Sequence, residues 1–376
     1  MSKLVLVDGA KGHTGTFLIK EILTSKPDWN IIATDLSTEK RNELMTKETI
    51  FTNRFKYMTE VLENERIIFQ PADLTDKESL KNIFVNKKFD IIFHTASLYD
   101  YFAPLDLLRK INVEGLTNLL QVIFETQDVN KLKFIHWSTC GVYGESKYLR
   151  DQKGYPLPSD EHAPYNPPNN YSLSKKEQEL VLKDHIENHL LKAVILRPAP
   201  IMGPYQIYGT FHIIQLVNKS GFGPGIHIYP KKKRLAMPLI HVEDLVRSAI
   251  FLSEKDEALG EAYNVVIDVC FQEDFLEFLA DLLNVGYFNF PIWWPFYKIF
   301  SKFLYWLNKR KEKKAKKLNS RPPVDISMAE YTTHQYLFSN KKIKDLGFKF
   351  KFPDYKTATK DTVEWYLKNK WLECEE

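Results

Sequence analysis

An α/β protein with a doubly wound parallel sheet and a smaller C-terminal lobe is the fold class predicted by these 376 residues, and three observations carry it. Short apolar runs alternate with helical patterns through the first half, as in a sheet covered by helices on both faces. The first run ends in glycines spaced three apart that open an apolar helix. Beyond residue 197 the alternation yields to a Pro- and Gly-rich stretch, Pro198 to Pro238, where a second lobe begins. The expected division is 1–197 for the sheet, with some later segments returning to it, and 198–376 mainly for the smaller lobe.

Taken in order, the strand-like runs are residues 4–7, 31–34, 67–70, 91–94 and 134–137, each short, apolar and rich in β-branched or aromatic residues. A sixth, 193–196, follows a helix beginning near Tyr171. Two segments read as insertions: a polar one at 37–65, expected to be helical and solvated, and an aromatic and basic one at 287–317.

Composition narrows the class. A hydrophobic share of 44% with 27% charged residues fits a globular chain. The net charge of +4 and the dispersed cations give no nucleic-acid signature, and no Cys/His spacing suits a metal. Cys140, Cys270 and Cys374 read as lone thiols suited to a reducing compartment. With neither a signal-peptide pattern nor a membrane span at the amino terminus, a cytoplasmic location is expected.

The first strand runs into Asp8-Gly9-Ala10-Lys11-Gly12-His13-Thr14-Gly15. Glycines here permit a tight turn and close approach of a pyrophosphate to amides at a helix amino terminus. Asp35, ending the second strand, can accept from both ribose hydroxyls and repel a 2′-phosphate, which favours NAD over NADP. Asp73, in Pro71-Ala72-Asp73-Leu74, either reaches the adenine or caps the helix from Lys77.

Tyr171 and Lys175, in Tyr171-Ser172-Leu173-Ser174-Lys175, stand four apart just after a helix start, so both share one face. A phenol is a poor base at neutral pH, and a neighbouring cation favours the phenolate, so the pair is a candidate proton-transfer device.

Together these residues resemble the extended short-chain dehydrogenase/reductase family, in which the sheet is a Rossmann fold and the later lobe binds substrate. The resemblance spans nearly the whole chain. It includes the glycine turn, Asp35, Asp73, His94-Thr95-Ala96, Asn112-Val113-Glu114-Gly115, Ser138-Thr139-Cys140-Gly141-Val142-Tyr143-Gly144, the Tyr171 to Lys175 stretch, Arg197-Pro198, Gly203-Pro204 and Ile240-His241-Val242-Glu243-Asp244. Asp8 departs from it, standing where the family usually has a hydroxyl residue. The resemblance implies Tyr171 as general acid/base and Lys175 as holder of the nicotinamide ribose that also lowers the tyrosine pKa. It further implies that Thr139 bonds the reacting oxygen and that Asn112 supports the network or caps a helix. The implied cofactor set is Gly9, Gly12, His13, Thr14, Gly15, Asp35, Asp73, Leu74, Thr95, Ala96, Ser97 and Pro198, with Tyr171 and Lys175. Ser138 and His241 read as structural, His94 as a strand-end residue, and residues 198–202 as a wall beside the nicotinamide. A homodimer with paired helices is the implied assembly.

Fold and cofactor leave the reaction open. Dehydratases of this family carry Asp and Glu directly after the catalytic Thr; here those positions are Cys140 and Gly141, which argues against dehydration. Epimerases commonly have Asn three residues after the Arg, where this chain has Pro200, although Arg234 and the run from Lys231 to Lys233 could meet a phosphate. In the last third, Trp293, Trp294, Phe296, Ile299, Phe300, Phe303, Leu304 and Leu307 precede a segment, 309–317, with seven basic residues and one Glu. That pattern reads as an interfacial anchor, a cleft lid or a dimer contact. With Arg321-Pro322-Pro323 and Thr362-Val363-Glu364-Trp365 it resembles the 3β-hydroxysteroid dehydrogenase branch. The leading expectation is therefore NAD-dependent oxidation of a secondary alcohol on a hydrophobic, sterol- or isoprenoid-like molecule. The alternatives are a nucleotide-sugar 4-epimerase and a silent NAD-binding regulatory protein, the latter disfavoured by intact Thr139, Tyr171 and Lys175.

Overall fold

The computed structural model describes residues 2–37, 49–147, 149–219, 225–231, 233–318 and 334–372. Its main sheet has seven parallel strands: β1 (Lys3–Asp8), β2 (Trp29–Thr34), β3 (Ile67–Phe69), β4 (Ile91–His94), β5 (Lys133–Trp137), β6 (Lys192–Pro198) and β10 (Ala262–Val265), in the order β10-β6-β5-β4-β1-β2-β3. All six strand-like runs lie in it, and β10 is a seventh, returning from the later part of the chain to pair with β6. The central strands are mainly apolar, rather than alternating, because helices bury both faces there. One core holds Val5, Val7, Ile31, Phe93, Ile135 and Val194, and the other Leu6, Ile32, Ile92, Phe134 and Ile195. Strand order reverses between β1 and β4, which leaves a crevice at their carboxyl ends where open sheets of this type take ligands.

Three local features set up the crevice. The helix His13–Ser25 starts at the glycine turn, with Gly12 as an N-cap that offers no side-chain bond. The run Leu105–Leu108 passes through a π-helical turn, Arg109–Glu114, into Gly115–Thr126; such turns widen a helix and often mark functional positions. The helix Asn170–His189 begins where Asn169 accepts a hydrogen bond from Ser172 N, fixing the register of Tyr171 and Lys175.

The smaller lobe leaves the sheet after β6. It contains β7 (Ile201–Met202) paired with β9 (Ile240–His241), and β8 (Gly225–Pro230) paired with β11 (Tyr287–Ile292). The helix Val242–Ser253 packs back on the helix His13–Ser25, so residues after 198 contribute to the sheet layer as well as to the lobe. The first insertion is helical over Thr49–Val61, as expected, but it is not simply solvated: Met58 is buried and Tyr57 stacks on Tyr205 at 3.9 Å. Aromatic packing across the chain overrides the polar character of the segment. Part of that insertion, together with Arg321 to Pro323 and Cys374, lies outside the described residues.

Candidate active site

At the glycine turn Gly9 has φ +63°, and a Cβ there would stand 2.8 Å from the Ala96 backbone and from Thr95 Oγ1. A Cβ on Gly12 or Gly15 would meet the Gly9 carbonyl at 2.9 and 2.2 Å. The turn therefore admits no side chain, and the uncapped amides at the start of the helix His13–Ser25 face the cradle it makes. Asp35 braces the turn by accepting from Lys11 N and Leu36 N, each at 2.8 Å. Lys11, which the sequence reading passed over, is buried with Nζ 4.2 Å from the Phe69 ring centroid. Beyond β4, Ser97 Oγ is buried with no hydrogen-bond partner among the described residues, a polar atom that a bound ligand would satisfy. These features fit a dinucleotide.

Other expected contacts divide. Thr95 and Ala96 are tied to Asp8, whose backbone oxygen accepts from Thr95 Oγ1 at 2.6 Å and whose Oδ1 accepts from Ala96 N at 2.7 Å. Asp73 Oδ1 takes Thr75 N and Oγ1 in a local turn, while the cap of the helix Lys77–Phe84 is Asp76, so the capping alternative for Asp73 is corrected. Leu74 packs beneath Gly115 and holds Asn118 through its carbonyl. The His13 ring turns away from the cradle to Pro204 O at 2.8 Å, where burial lowers its pKa to about 3. That leaves its backbone amide and Thr14, in the first helical turn, at the cradle.

Asp8 also explains the departure noted in the sequence. It pairs with His94 across the adjoining ends of β1 and β4, with Nδ1 and Oδ2 2.5 Å apart, deep in the sheet. His94 stacks on His136 at 5.3 Å. Strand register would have revealed this pair; linear spacing could not.

Tyr171 and Lys175 share a helical face but not a destination. Tyr171 is buried against Leu108 and Ala103, with the rings of Tyr99 and Tyr101 edge-on at 5.0 and 5.4 Å. Lys175 Nζ passes into the sheet end and donates to Trp137 O at 2.7 Å. Burial pushes Tyr171 well above the ordinary phenol range, with Tyr101 adding to it, and lowers Lys175 to about 7 against the pull of Asp8 and Glu179. The expected depression of the tyrosine by Lys175 is thus absent from the protein alone, where burial and Tyr101 set the direction.

Asn112 sits in the π-helical turn and is fully buried. Its Oδ1 accepts from Leu98 N at 2.7 Å, its Nδ2 donates to Ser174 Oγ at 3.1 Å, and its carbonyl accepts from Gln178 at 2.6 Å. It therefore bolts the Leu98 to Tyr101 segment to the tyrosine helix rather than capping a helix. Thr139, half-buried after β5, accepts from Gly141 N at 3.0 Å through Oγ1, which leaves its hydroxyl hydrogen to donate elsewhere. Cys140 turns inward: its thiol donates to Arg197 O at 3.0 Å, and burial raises its pKa far above normal. At Gly141 a Cβ would stand 2.6 Å from Ser172 Oγ. Pro198 ends β6, buried opposite Val265.

Beneath the site lies a network of which the sequence reading found only part. Glu179, four residues after Lys175, receives Arg197 Nη2 at 2.6 Å and Nε at 3.0 Å, together with Ser138 Oγ and Tyr165 Oη. Arg197 also reaches Glu161 O, and Tyr143 Oη bonds Asn264 at 2.8 Å. The i, i+4 and i+8 spacing of Tyr171, Lys175 and Glu179 was the signal available for Glu179. Arg234 is paired with Asp274 and stacked on Phe271, so its charge is already matched, and Lys233 sits 3.8 Å over Trp294. Among the described residues there is no cluster suited to a metal.

Residues 5–266 match the model of a family described as the NAD dependent epimerase/dehydratase family. The chain is 24% identical to dTDP-D-glucose 4,6-dehydratase of Mus musculus, across 100% of this chain and 92% of that protein. It is likewise 24% identical to dTDP-glucose 4,6-dehydratase of Escherichia coli, across 97% and 94%. Among solved structures, dTDP-glucose 4,6-dehydratase from Bacillus anthracis in complex with NAD superposes with a TM-score of 0.68 at 17% identity, covering 99% and 98% of the two chains. UDP-glucose 4-epimerase of Thermotoga maritima gives 0.68 at 19% identity, covering 98% and 99%. At that identity the structural likeness speaks for the fold. These relatives are sugar-nucleotide enzymes, and the expected hydroxysteroid branch rests on the sequence motifs alone.

Proposed function

The chain belongs to the NAD dependent epimerase/dehydratase family, with NAD as cofactor, and from that premise we propose an oxidoreductase acting on a secondary alcohol of a nucleotide sugar, without dehydration, as a 4-epimerase does. This reading displaces the sterol-like substrate as the leading one. One observation carries the exclusion of water loss: where an acid and a base would stand, Cys140 points its thiol into the core and Gly141 closes on Ser172.

The protein's own part in the chemistry is proton transfer and orientation. Tyr171 Oη as phenolate takes the alcohol proton, while Thr139, its Oγ1 engaged by Gly141 N, donates to the same oxygen. When bound, NAD supplies the hydride acceptor and a nicotinamide charge that favours the phenolate. Lys175 in its ammonium form adds to that charge and holds ribose hydroxyls. The glycine cradle with Ser97 takes the pyrophosphate end, and Asp35 the adenosine ribose. Asn112 is a positioning residue, since it fixes Tyr99 and Tyr101 beside Tyr171.

A hydrophobic alcohol is the second reading, favoured by the aromatic rings of Tyr99, Tyr101 and Tyr208 grouped beside Tyr171. A screen with NAD across UDP- and dTDP-hexoses, hydroxysterols and isoprenoid alcohols separates the two. Interconversion of 4-epimers without net NADH supports the first, and NADH formation confined to apolar alcohols supports the second. A 4-keto-6-deoxy product would overturn the argument from Cys140 and Gly141.

A further inference from the structure

The helix Trp294–Lys317 carries a surface feature that the site does not use. It is 24 residues long, about 36 Å. One side docks on the body through Tyr297, Ser301 and Ala315, which are 5%, 5% and 7% exposed. Opposite them runs a stripe whose members alternate three and four residues apart: Phe296, Ile299, Phe303, Trp306, Arg310, Lys313, Lys317. Its first four side chains are apolar and 63%, 65%, 52% and 45% exposed. The last three are cationic. Glu312 is the helix's one acid and falls off the stripe. Phe288, Phe290 and Trp293, just before the helix, are also exposed.

We propose that this stripe docks the protein on an anionic lipid surface, the rings entering the boundary between headgroups and chains while Arg310, Lys313 and Lys317 meet lipid phosphates. Large apolar side chains in open contact with water mark an interaction surface, and the charge pattern selects the occupant. A second copy packed in parallel would oppose cations with cations. Packed antiparallel, it would bring the cations onto rings with no acid to receive them. A bilayer interface satisfies both halves at once. The helix lies on such a surface rather than crossing it, since among the described residues no helix is long and apolar enough to span. The inference stands apart from the choice of substrate.

The test is flotation of the full chain with vesicles of phosphatidylcholine alone or mixed equally with phosphatidylserine, with sedimentation in parallel. The wild type is expected to float with the mixed vesicles and to be released by salt. The variant R310Q/K313Q/K317Q should lose on the order of a hundredfold in that partitioning, and F296S/I299S/F303S should lose flotation while keeping NAD binding and melting temperature. Failure of the wild type to float, equal affinity for the two vesicle types, or unaltered flotation of F296S/I299S/F303S would overturn the proposal. So would a dimer that F296S/I299S/F303S dissociates without any vesicle binding, which would make a second copy the occupant.

Discussion

Replacing Tyr171 with Phe isolates one atom. Among the described residues no group hydrogen-bonds Tyr171 Oη; its backbone carbonyl accepts from Ser174 Oγ at 2.8 Å, a bond the substitution leaves in place. The ring packs against Leu108, Ala103, Tyr99 and Tyr101, contacts that phenylalanine keeps. Deleting the hydroxyl therefore orphans no partner and opens no cavity, so stability should stay within about 0.5 kcal/mol of the parent. The reaction depends on that atom for proton transfer, a contribution of about a hundredfold to ten-thousandfold, or roughly 3–5 kcal/mol of barrier. The assay pairs steady-state turnover on whichever alcohol the screen finds with NAD titration by calorimetry and thermal melting. The expected outcome is a collapse of kcat with the NAD Kd and Tm held. A variant that melts several degrees lower, or loses NAD in step with turnover, would refute the assignment and make the hydroxyl structural.

Three further outcomes follow from the geometry. Glu179→Ala leaves the Arg197 guanidinium buried and unpaired, so it should cost about 3–5 kcal/mol, seen as a melting point about 5 °C lower for a chain of this size; a shift under a degree would mean that water or another group takes the charge. Gly9→Ala forces a side chain into a left-handed turn against the Ala96 backbone and should weaken NAD binding about tenfold or more, with unchanged affinity counting against the cradle. Lys175 titrates at about 7 when folded and near its ordinary 10.5 when unfolded, so the unfolded chain holds the extra proton between those values. NAD-free protein should accordingly gain stability as pH rises from about 7 towards 10.5, with the burial penalty complete below 7. Lys175→Met should flatten that slope relative to the parent, and parallel slopes would dismiss the argument.

Local chemistry was legible in the sequence and distant chemistry was not. Strands buried on both faces announce themselves as apolar runs, and the glycine turn and the Tyr171/Lys175 spacing lie within a few residues. The Asp8 and His94 pair depends on β1 lying beside β4, and the Arg197 clamp depends on a helix crossing β6. His13 belongs to the motif by its place in the chain, but its ring follows the lobe's Pro204. The two pKa directions at Tyr171 and Lys175 were missed for another reason: spacing reports which charges are near, whereas burial decides how much their ionisation costs. Tyr57 likewise took its environment from Tyr205, far along the chain.

The chain quits the sheet at Pro198 and rejoins it at Ala262, and Val265 O then accepts from Ala199 N at 3.0 Å. Topologically the stretch between is one long excursion whose two feet stand side by side. Such an excursion can change length and content over generations while the strands beneath keep their register, provided its ties to them are retained, among them the helix Val242–Ser253 lying on His13–Ser25, His13 on Pro204 and Tyr57 on Tyr205. Exchange of that excursion, its ties included, would leave the register of the seven strands beneath it unaltered.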